Sequence, residues 1–70
     1  MLRPSELVGR NIFLSNYLTC GHVVAVDDDL YGREDDPFSV KVSQSKYDDG
    51  TWFTVRWHDI SEMDKTYDQE

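Results

Sequence analysis

Phe38-Ser39-Val40-Lys41-Val42-Ser43, followed a few residues later by Asp49-Gly50-Thr51-Trp52-Phe53-Thr54-Val55-Arg56-Trp57, is the stretch that decides the fold. In the first run Phe38, Val40 and Val42 alternate with Ser39, Lys41 and Ser43. That is the period of a strand with one face on a core and the other in water. Asp49-Gly50 suits the positive backbone dihedrals of a tight hairpin turn, and the residues after it are β-branched or aromatic except Arg56. The two runs are therefore predicted to pair as an antiparallel hairpin. Successive strand side chains point to opposite faces, so Phe53, Val55 and Trp57 fall on the core side and Trp52, Thr54 and Arg56 on the other.

Upstream, His22 to Val26 holds Val23, Val24 and Val26 around Ala25, a run too short for a helix and too apolar for a surface loop. It reads as a central strand. Asp27-Asp28-Asp29 ends it, and the stretch to Pro37, with Gly32, Glu34, Asp35 and Asp36, has a composition that cannot bury itself. A solvated loop of about ten residues is expected there. Asn16 to Gly21 reads as another loop, and before it Ile12 and Leu14 alternate with Asn11, Phe13 and Ser15 in a short first strand with apolar weight on both faces. In the opening segment Pro4-Ser5-Glu6 can start at most one helical turn. Downstream, Ile60 to Met63 suits one more short strand or turn. The expected organisation is a lead-in over residues 1–8, an all-β barrel of about five antiparallel strands over 9–63, and an acidic, fraying tail over 64–70.

Size and charge narrow the function. Seventy residues make one domain with a thin margin of stability, so self-association or partner binding would add appreciably to it. A hydrophobic content of 39% is nevertheless that of a folded chain, above that of a disordered acidic one. Seven Lys and Arg against fourteen Asp and Glu leave a net charge of −7, which repels a phosphate backbone, so direct nucleic-acid binding is not expected. Cys20 is the only cysteine, which excludes an internal disulfide and favours the reducing cytoplasm. No apolar run of signal-peptide or membrane-span length is present, so neither export nor membrane insertion is expected.

Gly9 ahead of Ile12 and Leu14, Gly21-x-Val23 with Val26 beyond, and the later run Thr54-Val55-Arg56-Trp57-His58-Asp59 form a recurrent arrangement. It resembles the SH3-like small β-barrels of the Tudor and KOW type. There a glycine precedes the first strand, Gly-x-Val opens the second, and Val-x-Trp-x-Asp marks a later one. The resemblance covers residues 9 to 60 and departs in two places. Ile60 stands where those families usually have glycine, and the acidic loop between Val26 and Phe38 is longer than a minimal barrel needs. A Tudor-type barrel implies an aromatic cage for methylated Lys or Arg, with Tyr31, Tyr47 and Trp52 as the aromatics expected to be exposed and Asp48 or Asp49 as the anion. A KOW-type barrel implies contacts with RNA or with transcription and translation machinery, for which the basic surface is missing.

No residue has the context of an activated nucleophile, and Cys20, His22 and His58 lack zinc-ligand spacing. Cys20 is expected to enter a strand and His22 to point outward from one. The Asp runs lack the order of a calcium loop. No catalytic residue, metal or cofactor is therefore expected.

The remaining expectation is a protein-binding module for a partner with a basic surface. Asp27, Asp28, Asp29, Glu34, Asp35, Asp36, Asp48 and Asp49 would supply the field and Trp52 an aromatic anchor. Such a chain suits a phage or mobile-element inhibitor that imitates a phosphate array. The ordinary alternative is that the acidity serves only solubility. A third reading is a small-ligand or nucleotide-binding barrel in which Tyr31, Tyr47, Trp52 and Arg56, with Lys41, hold the ligand. A monomer or a small homo-oligomer is compatible with all of these.

Overall fold

The computed structural model describes residues 3–62. Five strands follow in chain order: β1 (Asn11–Leu14), β2 (Thr19–Asp27), β3 (Phe38–Ser43), β4 (Thr51–Val55) and β5 (Ile60–Glu62). Single 3-10 turns, η1 (Pro4–Leu7) and η2 (Trp57–Asp59), precede β1 and β5. The sheet order is β4-β3-β2-β1-β5 with every pair antiparallel. First and last strands are therefore neighbours, and the sheet curls into a half-barrel compatible with a small SH3-like barrel.

The concave face carries the core. Ile12 and Leu14 of β1, Val23 of β2, Phe38, Val40 and Val42 of β3, and Val55 of β4 are buried together. The alternation of β3 carries into burial from Phe38 to Val42, but Ser43, read as facing water, is buried at the strand end because its hydroxyl finds the Ser45 and Asp48 carbonyls. Phe53 and Trp57 are half-buried against this cluster, whereas Trp52, Thr54 and Arg56 are exposed, as the period of the run requires. Cross-strand register explains the sorting: Val26, Val40 and Phe53 make an inner row, while Asp27-Ser39-Thr54 and Ala25-Lys41-Trp52 make outer rows.

Several expectations change in detail. Within residues 3–8, Pro4 and Leu7 are buried, and the Gly9 amide that follows donates to the Val23 carbonyl at 2.9 Å. β2 begins at Thr19, inside the stretch read as a loop, since Thr19 and Cys20 pair with Leu14 and Phe13. A bulge between Val23 and Ala25 leaves Val24 without a cross-strand partner and turns it outward. One apolar run thereby serves the core and the outer surface. The β3–β4 connection is not a tight two-residue turn: Val42 pairs with Thr51, and residues 43–50 lie between. β4 stops at Val55, and Trp57 starts η2 instead of ending the strand. The tail over 64–70 lies outside the described residues.

Two features hold the curl. The Tyr17 ring lies 4.8 Å from that of Phe53, and its hydroxyl donates to the Thr54 carbonyl at 3.1 Å, tying the β1–β2 turn to the β4 edge. The amide and hydroxyl of Ser15 both donate to the Asp59 carbonyl, at 2.9 and 3.2 Å, tying β1 to η2. Gly21 permits the closest strand approach, since a Cβ there would lie 2.6 Å from both the Ser43 carbonyl oxygen and Val42 Cγ1.

Gly21→Ala should therefore force β2 from β3 and cost about 1 to 3 kcal/mol. Gly32→Ala, whose Cβ would approach nothing nearer than Asp36 Oδ2 at 3.6 Å, should leave the urea midpoint almost unchanged. Trp57→Ala and Val55→Ala should each cost about 2 to 5 kcal/mol in the same melts, and Trp52→Ala much less. A larger loss for Trp52→Ala than for Trp57→Ala would invert the facing of this segment.

Candidate functional site

β3 separates the two acidic loops. Residues 28–37 enter at Phe38 and residues 44–50 leave after Ser43, so the six residues of β3 set them about 17 Å apart. Asp48 and Asp49 are thus not continuous with the carboxylates of Asp27 to Asp36. Trp52 lies between them on the outer face, half exposed and opposite Lys41.

The 28–37 loop is pinned at its middle. Tyr31 packs edge-on to Phe38, with centroids 5.7 Å apart, and Phe38 packs on Trp57 at 5.3 Å. The Trp57 indole N–H donates to the Tyr31 hydroxyl at 2.7 Å, which satisfies both polar tips where they leave water. A second brace is Asp36, whose Oδ2 accepts the amides of Gly32 at 2.9 Å and Arg33 at 2.8 Å. These amides, Gly32 first, hold the Asp36 carboxyl below the usual carboxylate range, and the Arg33 charge adds a smaller share. Asp27 Oδ1 accepts the Asp29 amide at 3.3 Å.

The second loop is organised in the same way by Asp48. Its two carboxylate oxygens accept the amides of Gln44 and Gly50, each at 3.0 Å, and this again lowers its pKa, Gln44 first. Beneath it the buried Ser43 hydroxyl lies 2.6 Å from the Ser45 carbonyl and 2.8 Å from that of Asp48, its proton serving one of them at a time. Gly50, at φ +106°, takes the left-handed conformation that the return into β4 requires.

The acidic residues therefore divide by task. Asp36 and Asp48 are spent on backbone amides, whereas Asp27, Asp29, Glu34 and Asp35 are exposed and make no ion pair with any described residue. Asp28 is half-buried and Asp49 exposed. Between the first loop and the outer face runs an open groove of about 500 Å³. Two carboxylates (Asp27, Asp29), three apolar residues (Leu30, Pro37, Phe38) and two hydroxyls (Ser39, Thr54) line it. Of these only Asp27 and Asp29 stand out in the sequence. The outward positions of Ser39 and Thr54 follow from the strand period, but their adjacency depends on register.

Tyr31 corrects the expectation of three exposed aromatics, because it is half-buried in the Phe38–Trp57 cluster. Tyr47, 86% exposed with the Lys46 ammonium 5.3 Å from its ring centroid, sits at the opposite end of β3. Tyr31, Tyr47 and Trp52 are not gathered into one cage or ligand pocket. Arg56 is exposed just past β4, its amide bonded to Asp59 Oδ2 at 3.1 Å. His22 is exposed with Nδ1 3.3 Å from Asn11 Oδ1, His58 Nε2 lies 3.3 Å from Asp59 Oδ1, and Cys20 is a half-buried free thiol in β2. Among the described residues no three Cys, His, Asp or Glu side chains are grouped to hold a metal ion, and no helix is long and apolar enough to cross a membrane.

Comparison with protein-family models, curated proteins and solved structures finds no match. The Tudor and KOW resemblance accordingly rests on its short motifs alone.

A carboxyl whose folded pKa lies below its unfolded value of about 3.9 contributes stability above that value and loses it as pH falls through the folded one. Asp36 and Asp48 should thus contribute fully at neutral pH and fade below about pH 4. The difference in urea midpoint between the wild type and Asp48→Ala should narrow between about pH 4 and the acid limit. A gap constant with pH would show that the two amide bonds to Asp48 do not favour its ionised form.

Proposed function

We propose that the protein is a non-catalytic binding module that engages a basic site on a partner protein through the acidic loop 27–36. The observation that carries this reading is the combination of a fixed loop with unpaired charge. The aromatic cluster and Asp36 hold the backbone, while Asp27, Asp29, Glu34 and Asp35 present carboxylates that pair with no described cation. Such a loop gives up little conformational entropy on binding, and its field selects partners by sign before contact. Trp52, half exposed on the adjoining outer face, supplies an apolar anchor.

Carboxylates on a rigid loop also stand in for the phosphates of a nucleic acid, the task of an inhibitor encoded by a phage or mobile element. The scattering of Tyr31, Tyr47 and Trp52 lends no support to a methylated-residue reader or a nucleotide-binding barrel.

The test compares two variants that each remove three negative charges: Asp29→Asn with Glu34→Gln and Asp35→Asn in the loop, and Asp64→Asn with Asp68→Asn and Glu70→Gln in the tail. Association with an immobilised arginine-rich peptide should slow more in the loop variant, and the difference should shrink as salt shortens the Debye length to about 3 Å at 1 M. Duplex DNA should not bind at physiological salt. Equal slowing in the two variants, or binding of DNA, would refute the loop as the determinant.

A further inference from the structure

We infer that the groove beside the acidic loop receives one arginine side chain of the partner. This rests on the reading of loop 27–36 as the partner-facing surface and adds a defined contact to what would otherwise be a diffuse field.

The chemistry of the lining points to a guanidinium. Asp27 uses one oxygen on the Asp29 amide, and its other oxygen and both oxygens of Asp29 have no protein donor among the described residues. Ser39 Oγ and Thr54 Oγ1, 3.5 Å apart, add two hydroxyl oxygens on the same side of the sheet. Among the described residues no cation lines the groove to compete for these acceptors. Leu30, Pro37 and Phe38 supply apolar surface beside them.

A ligand that satisfies both halves needs an apolar stem and a cationic head with several donors. Arginine has a three-carbon stem and five N–H donors in a planar, weakly hydrated fork, whereas lysine carries a compact, strongly hydrated ammonium with three. The arrangement of several acceptors beside apolar surface therefore favours arginine. Leu30, 90% exposed, leaves its apolar side chain accessible to such a stem.

The experiment separates the groove from the field. Asp29 lines the groove and Asp35 does not, yet both are exposed and each change to Asn removes one charge. With an arginine-rich peptide as probe, Asp29→Asn should weaken binding about five- to tenfold and Asp35→Asn less than about twofold. Leu30→Ser, which alters no charge at a side chain outside the core, should also weaken it. In a 15N-edited NMR titration, an acetylated Gly-Gly-Arg-Gly-Gly amide should shift the amides of Asp29, Leu30, Ser39 and Thr54. Its lysine counterpart should shift them less and its neutral citrulline counterpart not at all. Equal weakening by Asp29→Asn and Asp35→Asn, with Leu30→Ser silent, would overturn the groove and leave the acidic field intact. Equal shifts from lysine would overturn the guanidinium assignment. Failure of the arginine-rich peptide to bind would overturn both readings.

Discussion

The bond from the Trp57 indole N–H to the Tyr31 hydroxyl joins the end of the β4 segment to the middle of a loop with no hydrophobic run of its own. Without it, residues 28–37 would be an acidic connection free to sample many shapes, because their charge keeps them in water and their glycine adds backbone freedom. With it, one aromatic side chain is taken from the loop and set against Phe38 at the rim of the core. The neighbouring carboxylates are thereby held at defined positions. The groove along Leu30, Pro37 and Thr54 lies between this fastened loop and the sheet. Core packing and the proposed recognition surface thus share a single cluster.

Fastening also determines what each carboxylate does. An oxygen that accepts two amides, like Asp36 Oδ2, has its charge partly met by peptide dipoles and supports the backbone it caps. Asp48 does the same for the other loop, one oxygen to each amide. Asp29, Glu34 and Asp35 accept no such bonds from any described residue and are exposed. A count of acidic residues treats these groups as equals, although only the second kind is free to meet a partner. The field that results is concentrated at the Phe38 end of β3, and Asp49 lies well away from it.

What was legible in the sequence follows from how local its physical cause is. The alternation of Phe38 to Val42 and the facing of Trp52 against Val55 depend only on the two-residue period of a strand, and both hold, whereas the burial of Ser43 depends on the loop that follows it. The outward turn of Val24 depends on the register of β2 against β3, which four apolar residues in a row leave open. The roles of Asp36 and Asp48 depend on loop closure. In hindsight Asp48-Asp49-Gly50 carried a local cue, since aspartate commonly accepts the amide two residues on. Tyr31 had no local cue at all. Inside an acidic loop it looked exposed, and only the fold sets it against buried Phe38 and brings the half-buried Trp57 to its hydroxyl.

The strand at the sheet edge bears on the question of what the acidity is for. β4, Thr-Trp-Phe-Thr-Val, carries no charge and no proline, although edge strands are commonly blunted by such residues against pairing with another chain. Part of that protection comes from Tyr17, whose hydroxyl occupies the Thr54 carbonyl. Two copies approaching edge to edge would also each bring a net charge of −7. Like charges oppose that encounter, and opposite charges favour the approach of a basic partner to the same side of the molecule. Solubility and partner selection are therefore not competing explanations of the acidic surface. Under the proposed function, the negative field that opposes the approach of a second copy to the uncharged edge would also favour a cation at the groove beside it.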